Sequence, residues 1–313
     1  MANAYATTEA ASRSAVQIDA VFLFITVVSL FFFFLVEGLL IYFAIRYRRR
    51  KASGDFATSE VKGNLALEIV WVIIPSLVVI AFFVYGYLVY QDVTRPAPGS
   101  SDIYVTARQF LFEFRHSDGR SEVGELHVPA GKPVKLIMTS RDVLHGLFLP
   151  SFRLKQDILP GQYTYLYLQP DREGAYDIFC TEYCGVGHST MRGKLVVMPP
   201  AEHAKWAAAG KGAEAAMPPS EKGKSLLAKF GCLGCHSTDG TVKVGPTLKG
   251  LYDSRVPLED GRTAVADEGF LKESIVDPGA GIVKGFPNVM PTFKGQLSDD
   301  DITAIIAYIK TLK

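Results

Sequence analysis

Two apolar runs near the start constrain this chain more than anything that follows. From Val21 to Ile45 almost every residue is apolar, with five phenylalanines from Phe24 to Phe34. A second run extends from Leu65 to about Tyr90 and carries Glu68, Trp71 and Pro75. A membrane-spanning helix needs about 20 apolar residues, so each run is long enough to cross a bilayer. A buried core helix is the alternative, but two such lengths flanking the basic stretch Arg46-Tyr-Arg-Arg-Arg-Lys51 favour spanning. Glu37 interrupts the first run. A carboxylate at that depth is costly unless it faces protein or water, so it is expected against another subunit. The basic stretch places the turn between the runs in the cytoplasm. Everything after Tyr90 then lies outside. Residues 1–20 lack a basic n-region, and no signal peptide is read there.

A length of 313 residues suits two or three domains. The net charge of +1 suggests no nucleic-acid or other polyelectrolyte partner. After the linker Pro96-Ala-Pro-Gly99, residues from Asp102 to Met198 alternate in short stretches. Val134, Leu136 and Met138 alternate with Lys135 and Thr139. Tyr163, Tyr165 and Tyr167 alternate with Thr164, Leu166 and Leu168, and Tyr176, Ile178 and Cys180 form another such stretch. Pro129-Ala-Gly131 and Pro160-Gly161 break the pattern. About a hundred residues of this kind indicate a β-sandwich or barrel.

The four cysteines fall in two short motifs, which leaves none for a separate disulfide framework. The first motif is Cys180-Thr-Glu-Tyr-Cys184-Gly-Val-Gly-His188-Ser-Thr-Met191. Two thiols, an imidazole and a thioether within twelve positions form a soft donor set, suited to copper, zinc or iron–sulfur. A disulfide would account for the cysteines but not for His188 and Met191. A closed zinc site uses other spacings and has little use for Met. Copper is therefore the favoured reading. His145, in Asp-Val-Leu-His-Gly, is a fifth candidate.

This segment resembles the binuclear copper, or Cu(A), loop of cytochrome c oxidase subunit II. Asp142-Val143-Leu144-His145 and residues 149–161 resemble the same family. The resemblance implies copper ligands at His145, Cys180, Cys184, His188 and Met191, with Glu182 adding its backbone carbonyl. It also implies that the Glu182 side chain reaches a magnesium ion shared with subunit I. It implies a cupredoxin-like Greek-key barrel with copper at one end. Glu68-Ile-Val-Trp71-Val-Ile-Ile-Pro75 is similar to the start of the family's second helix, where the glutamate lies near a proton channel. Glu68 is thus a candidate for proton uptake, with an ordinary boundary carboxylate as the alternative. Relatives that accept electrons from soluble cytochrome c carry a Gln-Trp-aromatic-Trp run. Here it is Gln109-Phe110-Leu111-Phe112, and no tryptophan occurs between residues 72 and 205.

The second motif, Cys232-Leu-Gly-Cys235-His236, reads as c-type haem attachment. Two thiols add to the haem vinyl groups, and the next residue presents an imidazole to iron. A redox Cys-x-x-Cys would usually lack that histidine. Gly245-Pro246-Thr-Leu resembles the class I cytochrome c segment whose proline carbonyl orients the proximal histidine. Asn288-Val-Met290-Pro-Thr-Phe resembles the segment that supplies the distal methionine. Ser298 is a helix N-cap ahead of Asp299, Asp300 and Asp301, and Ile302, Ile305, Ile306 and Ile309 give one apolar face.

The expected organisation is an N-terminal segment and two-helix transmembrane hairpin over residues 1–95, an all-β cupredoxin-like domain over 96–199, a linker over 200–220, and an all-α cytochrome c domain over 221–313. The linker is expected to hold one helical turn around Trp206 and a solvated His203. The resemblance implies subunit II of a bacterial haem–copper terminal oxidase in the inner membrane, with copper and haem on the periplasmic face. Electrons would pass from a donor, such as cytochrome c or an upstream respiratory complex, to haem c, to copper and to subunit I. There oxygen is reduced to water with proton pumping. Subunits I and III are the implied membrane partners. Input to a nitric oxide reductase and copper delivery are the alternative readings. A quinol oxidase subunit is disfavoured because those chains lack the copper cysteines.

Overall fold

A computed structural model describes residues 9–48, 63–209 and 217–313. Two units emerge, residues 13–95 and the remainder. In the first, helix α1 spans Arg13–Arg46 and helix α2 spans Leu65–Thr94. At 1.5 Å per residue both exceed the roughly 30 Å of a bilayer core. Asn64 caps α2, its side-chain oxygen accepting from the amides of Ala66 and Leu67 at 3.1 and 3.2 Å. Pro75 sits inside α2, and the Ser76 hydroxyl donates to the Val72 carbonyl at 2.7 Å. The helices touch through Phe24, whose ring meets Phe82 at 5.5 Å. No residue in the most apolar stretch of either helix is buried within the chain. So large an apolar surface needs lipid or partner helices to cover it. Part of the basic stretch, residues 49–51, lies outside the described residues.

The second unit begins with a β-sandwich. Its strands are β1 Ser101–Arg108, β2 Leu111–His116, β3 Ser121–Val123, β4 Glu125–Pro129, β5 Val134–Ser140, β6 His145–Leu149, β7 Leu154–Ile158, β8 Thr164–Leu168, β9 Gly174–Cys180 and β10 Arg192–Met198. One sheet runs β3-β2-β1-β5-β8 and the other β4-β10-β9-β6-β7. Most neighbours are antiparallel, but β1 lies parallel to β5 and β10 parallel to β4. The two-residue alternation fills the space between sheets. Val134, Leu136 and Met138 point inward from β5, as do Leu166 and Leu168 from β8. The tyrosines of β8 face outward, and Lys135 sits 5.0 Å from the Tyr165 ring. Ahead of the helices, Ala11 is bonded to the sandwich, its amide donating to the Ser151 carbonyl at 2.8 Å.

Helix α3, Pro200–Ala209, follows the sandwich. These residues read as linker from the sequence, yet they form three turns of helix because Trp206 has a partner surface. Its ring stacks on His127 at 4.8 Å, and Arg120 lies 4.1 Å above it. Arg120 also donates to the Trp206 and Ala207 carbonyls, which satisfies the helix end. His203, expected to be solvated, instead packs its ring 5.2 Å from Trp206, with Nε2 buried.

The C-terminal domain contains α4 Pro219–Lys229, α5 Cys232–Cys235, α6 Glu268–Val276 and α7 Asp299–Ile309. A short hairpin, β11 Arg255–Pro257 with β12 Thr263–Val265, adds strand content beyond the all-α expectation. Ser298 and Asp301 form a capping box at the start of α7. Ile302, Ile305, Ile306 and Ile309 are buried against Leu226 and Leu227 of α4. Gly223 allows this approach, since a side chain there would run into the Ala304 carbonyl. Each fully buried isoleucine contributes about 1.5–3 kcal/mol.

Candidate metal centre and haem pocket

Three strand ends of one sheet converge on one point. Cys180 closes β9, Met191 immediately precedes β10, and His145 opens β6. Strands β9 and β10 are antiparallel neighbours, as are β9 and β6, so the three residues are brought together by the ladder. The intervening loop carries Cys184 and His188. The donors of His145, Cys180 and Cys184 all lie within 4.8 Å of one another. Cys180 Sγ is 3.9 Å from Cys184 Sγ, 3.9 Å from His145 Nδ1 and 3.3 Å from the Glu182 carbonyl oxygen. Cys184 Sγ is 3.6 Å from His188 Nδ1 and 3.8 Å from Met191 Sδ. All six residues singled out in the sequence therefore gather at the two thiols.

A sulfur–sulfur distance of 3.9 Å excludes a disulfide, whose bond is about 2.05 Å. Donors about 2.0–2.3 Å from a shared ion sit roughly 3.3–3.8 Å apart in tetrahedral geometry, so these spacings suit ligation with little movement. Each thiol has its own further donors, His145 and the Glu182 carbonyl for Cys180, His188 and Met191 for Cys184. The set therefore fits copper in character and in number of donors.

Asp142 holds the imidazole in place. His145 is fully buried, and its Nε2 donates to Asp142 Oδ1 at 2.8 Å, which leaves Nδ1 toward the thiols. The Gln109 amide donates to Asp142 Oδ2 at 2.7 Å, and the Gln109 side chain donates to the Cys184 carbonyl at 2.5 Å. Burial pushes the Asp142 carboxyl up, but hydrogen bonds from His145, Gln109 and Val143 outweigh it and hold the pKa below the usual range. Burial likewise lowers His145, and Asp142 with Cys180 more than reverses this. Burial raises Cys180, while His145 and the backbone of Gly146 and Glu182 bring it down to about 7. Cys184 is pushed up to about 12, first by burial and then by the neighbouring Cys180 charge. Without metal Cys180 is the thiol more easily ionised and Cys184 holds its proton, so a cation is needed to take both protons off. The sequence reading assigned no role to Asp142 or to the Gln109 side chain. The Gln109 contacts depend on chain crossings that motif spacing does not encode, while Asp142 lies three residues before His145.

The Glu182 carboxylate pairs with Lys155 Nζ at 2.7 Å. Tyr183 beside it is 78% exposed. Glu68 lies in the first turn of α2, among the residues of the other unit.

The second site is a largely apolar cavity lined by Cys232, Cys235, His236, Met290, Phe230 and Ile305, among others. His236 Nδ1 donates to the Pro246 carbonyl at 2.7 Å, which leaves Nε2 as the nitrogen with a free lone pair. Gly245 packs against that ring: a Cβ there would lie 2.6 Å from His236 Cε1. Burial lowers the His236 pKa, keeping the ring neutral and able to ligate. Burial pushes the Cys232 thiol up to about 12. Two thiols, an imidazole and a thioether around one apolar cavity fit a covalently attached haem.

Comparison with known proteins agrees in outline. Residues 2–89 match the family described as cytochrome c oxidase subunit II, transmembrane domain, and residues 73–198 match its periplasmic domain. Residues 220–313 match the cytochrome c family. Cytochrome c oxidase subunit 2 of Alkalihalophilus pseudofirmus is 31% identical over 276 residues, covering 85% of this chain and 78% of that protein. The subunit 2 of Synechocystis is 30% identical over 249 residues, covering 64% and 74%. That of Bacillus subtilis is 27% identical over 293 residues, covering 87% and 82%.

Proposed function

This chain belongs to the cytochrome c oxidase subunit II family, with a cytochrome c domain at its C-terminal end, and from that membership we propose how its two sites divide the work. As subunit II of a haem–copper oxidase it is part of an oxidoreductase complex and associates with subunit I. Within that frame, electrons from an external donor, cytochrome c or an upstream complex, reach haem c on Cys232, Cys235, His236 and Met290. They continue to a binuclear copper centre on His145, Cys180, the Glu182 carbonyl, Cys184, His188 and Met191. From there they pass to subunit I, where oxygen is reduced with proton pumping, in a complex that also holds subunit III in the bacterial inner membrane. Glu68 serves proton uptake at the boundary of α2.

When bound, the two groups supply one-electron redox chemistry. The protein's own contribution is to keep the geometry fixed. Asp142 holds the His145 ring, and the ladder between β9 and β10 holds Cys180 and Met191, so little has to move when charge changes. Pro246 does the same for His236. A haem held by His236 and the Met290 thioether would have a high potential. Neither donor set leaves an open position for oxygen, which supports a relay and not a reductase in this chain.

The observation that carries this reading is the gathering of four further donors, His145, the Glu182 carbonyl, His188 and Met191, around the two facing thiols of Cys180 and Cys184. The test is purification of the intact complex from membranes, followed by metal analysis and acceptor assays. Expected are two coppers and one covalent haem per copy of this chain, and turnover with oxygen. Zinc, or a single copper, would overturn the binuclear assignment. Turnover with nitric oxide but not oxygen would overturn the oxidase assignment.

A further inference from the structure

The hairpin of β11 and β12 lies outside the wall of the haem cavity, yet it is fastened to a segment that forms that wall. Residues 277–293 leave the end of α6, carry Met290 and return to α6. Ile282, Val283, Phe286 and Met290 of this loop line the cavity. At the return, the Phe293 amide donates to the Ile275 carbonyl at 3.0 Å, and the Thr292 hydroxyl to the Val276 carbonyl at 2.6 Å. On the outward half, the hairpin's turn takes hold. Leu258 and Val283 form an antiparallel bridge. The Glu259 amide donates to the Ile282 carbonyl and the Lys284 amide to the Pro257 carbonyl, both at 2.9 Å. The Gly285 amide donates to the Glu259 carboxylate at 2.6 Å. Gly285 has a φ of 84°, in the left-handed region, so the chain turns there at little cost. Beneath these bonds Leu258 is buried with Val256 and Ala266, and Val283 and Phe270 pack against them. The turn itself is braced by Asp260, which accepts from the Arg262 amide at 2.9 Å and from Arg262 Nε at 2.7 Å.

We propose that this hairpin is a clamp on the methionine loop, and that Leu258 and Glu259 are positioning residues that keep the Met290 thioether at the haem iron. This rests on the reading of Met290 as an iron ligand and adds what holds it there. The hairpin anchors the loop at residues 282–285, and α6 anchors it at residues 292 and 293. Only the short stretch between the two anchors is left to swing. Holding a loop in place beforehand removes much of the entropy cost of closing it onto a ligand position. A thioether is a soft ligand and suits ferrous iron better than ferric. The ferric haem therefore depends on the clamp more than the ferrous haem does. A clamped loop also keeps small external ligands off the iron in the ferric state.

The test uses the full-length chain in its complex, oxidised, with imidazole as the probe. Imidazole binds ferric haem only after the sulfur has left. At saturating imidazole, the rate at which the sulfur–iron charge-transfer band disappears therefore reports how often the loop opens. Leu258→Ala should speed that loss roughly tenfold or more, because it empties the apolar contact beneath the loop. Glu259→Ala should speed it about threefold, the weight of one hydrogen bond to a carboxylate. Glu259→Gln should return most of the wild-type rate, since its amide oxygen still accepts from Gly285. Amide exchange should rise at residues 282–290 in Leu258→Ala and Glu259→Ala and stay unchanged in α4 and α7. Glu259 is exposed, so its variants keep the fold and decide the question even where Leu258→Ala does not. A wild-type rate in Glu259→Ala would overturn the role of Glu259, and one in Leu258→Ala that of Leu258. Exchange that rises as much in α4 and α7 as in the loop would overturn the clamp, because the hairpin would then support the whole domain. Absence of the sulfur–iron band from the unmodified complex would instead be a failure of the Met290 assignment.

Discussion

Asp142 shows how much one carboxylate can organise. It accepts from His145 Nε2, from the Gln109 amide and from the Val143 amide, so it fixes the copper-side imidazole and the turn beneath the haem domain together. Asp142→Ala should weaken copper retention about 10–100-fold, as is usual when a ligand histidine loses its orienting partner. Competition with a chelator on the full chain measures this, and retention equal to the unmodified protein would refute the role. The thiols add a pH dependence with a definite sign. Cys184, at about 12, must lose its proton to bind metal at any ordinary pH. Apparent copper affinity should therefore rise with pH by about tenfold per unit or more. Below about 7 it should steepen, because Cys180 then also holds a proton. A flat affinity from pH 6 to 9 would contradict this. At this scale the clustering of donors was legible in the sequence, since Cys180, Cys184, His188 and Met191 lie in one loop. The Gln109 contacts were not, because they reach Asp142 and Cys184 across 33 and 75 residues of chain, whereas Asp142 lies only three residues before His145.

Helix α3 was the element least legible in the sequence. Its Ala-rich composition reads as linker, and what orders it is a surface on β2, β3 and β4. Three of the six histidines gather there with Trp206. Glu122 binds His116 at 2.6 Å and His127 at 2.5 Å. Burial raises Glu122, but those two histidines bring it down to about 2. His203 packs beside them with its pKa lowered, first by burial and then by the nearby His116 and His127. A base whose folded pKa is depressed stabilises the fold when neutral. That contribution is complete above its unfolded value and is lost as pH falls through the folded value. Helix α3 should therefore loosen below about pH 6.5, the ordinary histidine value. Amide exchange over residues 200–209, corrected for intrinsic rates, should rise between pH 7 and pH 5. No rise would show that the packing of Trp206 alone holds the helix. The sandwich strands, by contrast, follow from residue alternation, and α7 from its cap and its isoleucine face.

Across the whole molecule, the parts were legible and their docking was not. Apolar length marked the two spanning helices, and soft donors at short spacing marked both redox motifs. The seating of Leu111 in the cytochrome c core has no signature of its own, because an isolated apolar residue at a turn is ordinary until its partner is folded beside it. A freely tethered haem domain would reach the copper by effective concentration alone. Here Leu111 is buried with Leu226, Leu227 and Phe230, which gives the domain a defined seat on the sandwich. The most direct test of the two-centre relay is single-electron injection into the fully oxidised complex by its native donor, with haem and copper followed at their own wavelengths. Expected is reduction of haem first, then its reoxidation at the same rate as copper gains one electron, one for one. Copper reduction that precedes haem reduction, or that proceeds at full rate after the Cys232 and Cys235 thiols have been replaced by serine and no haem is attached, would contradict the relay.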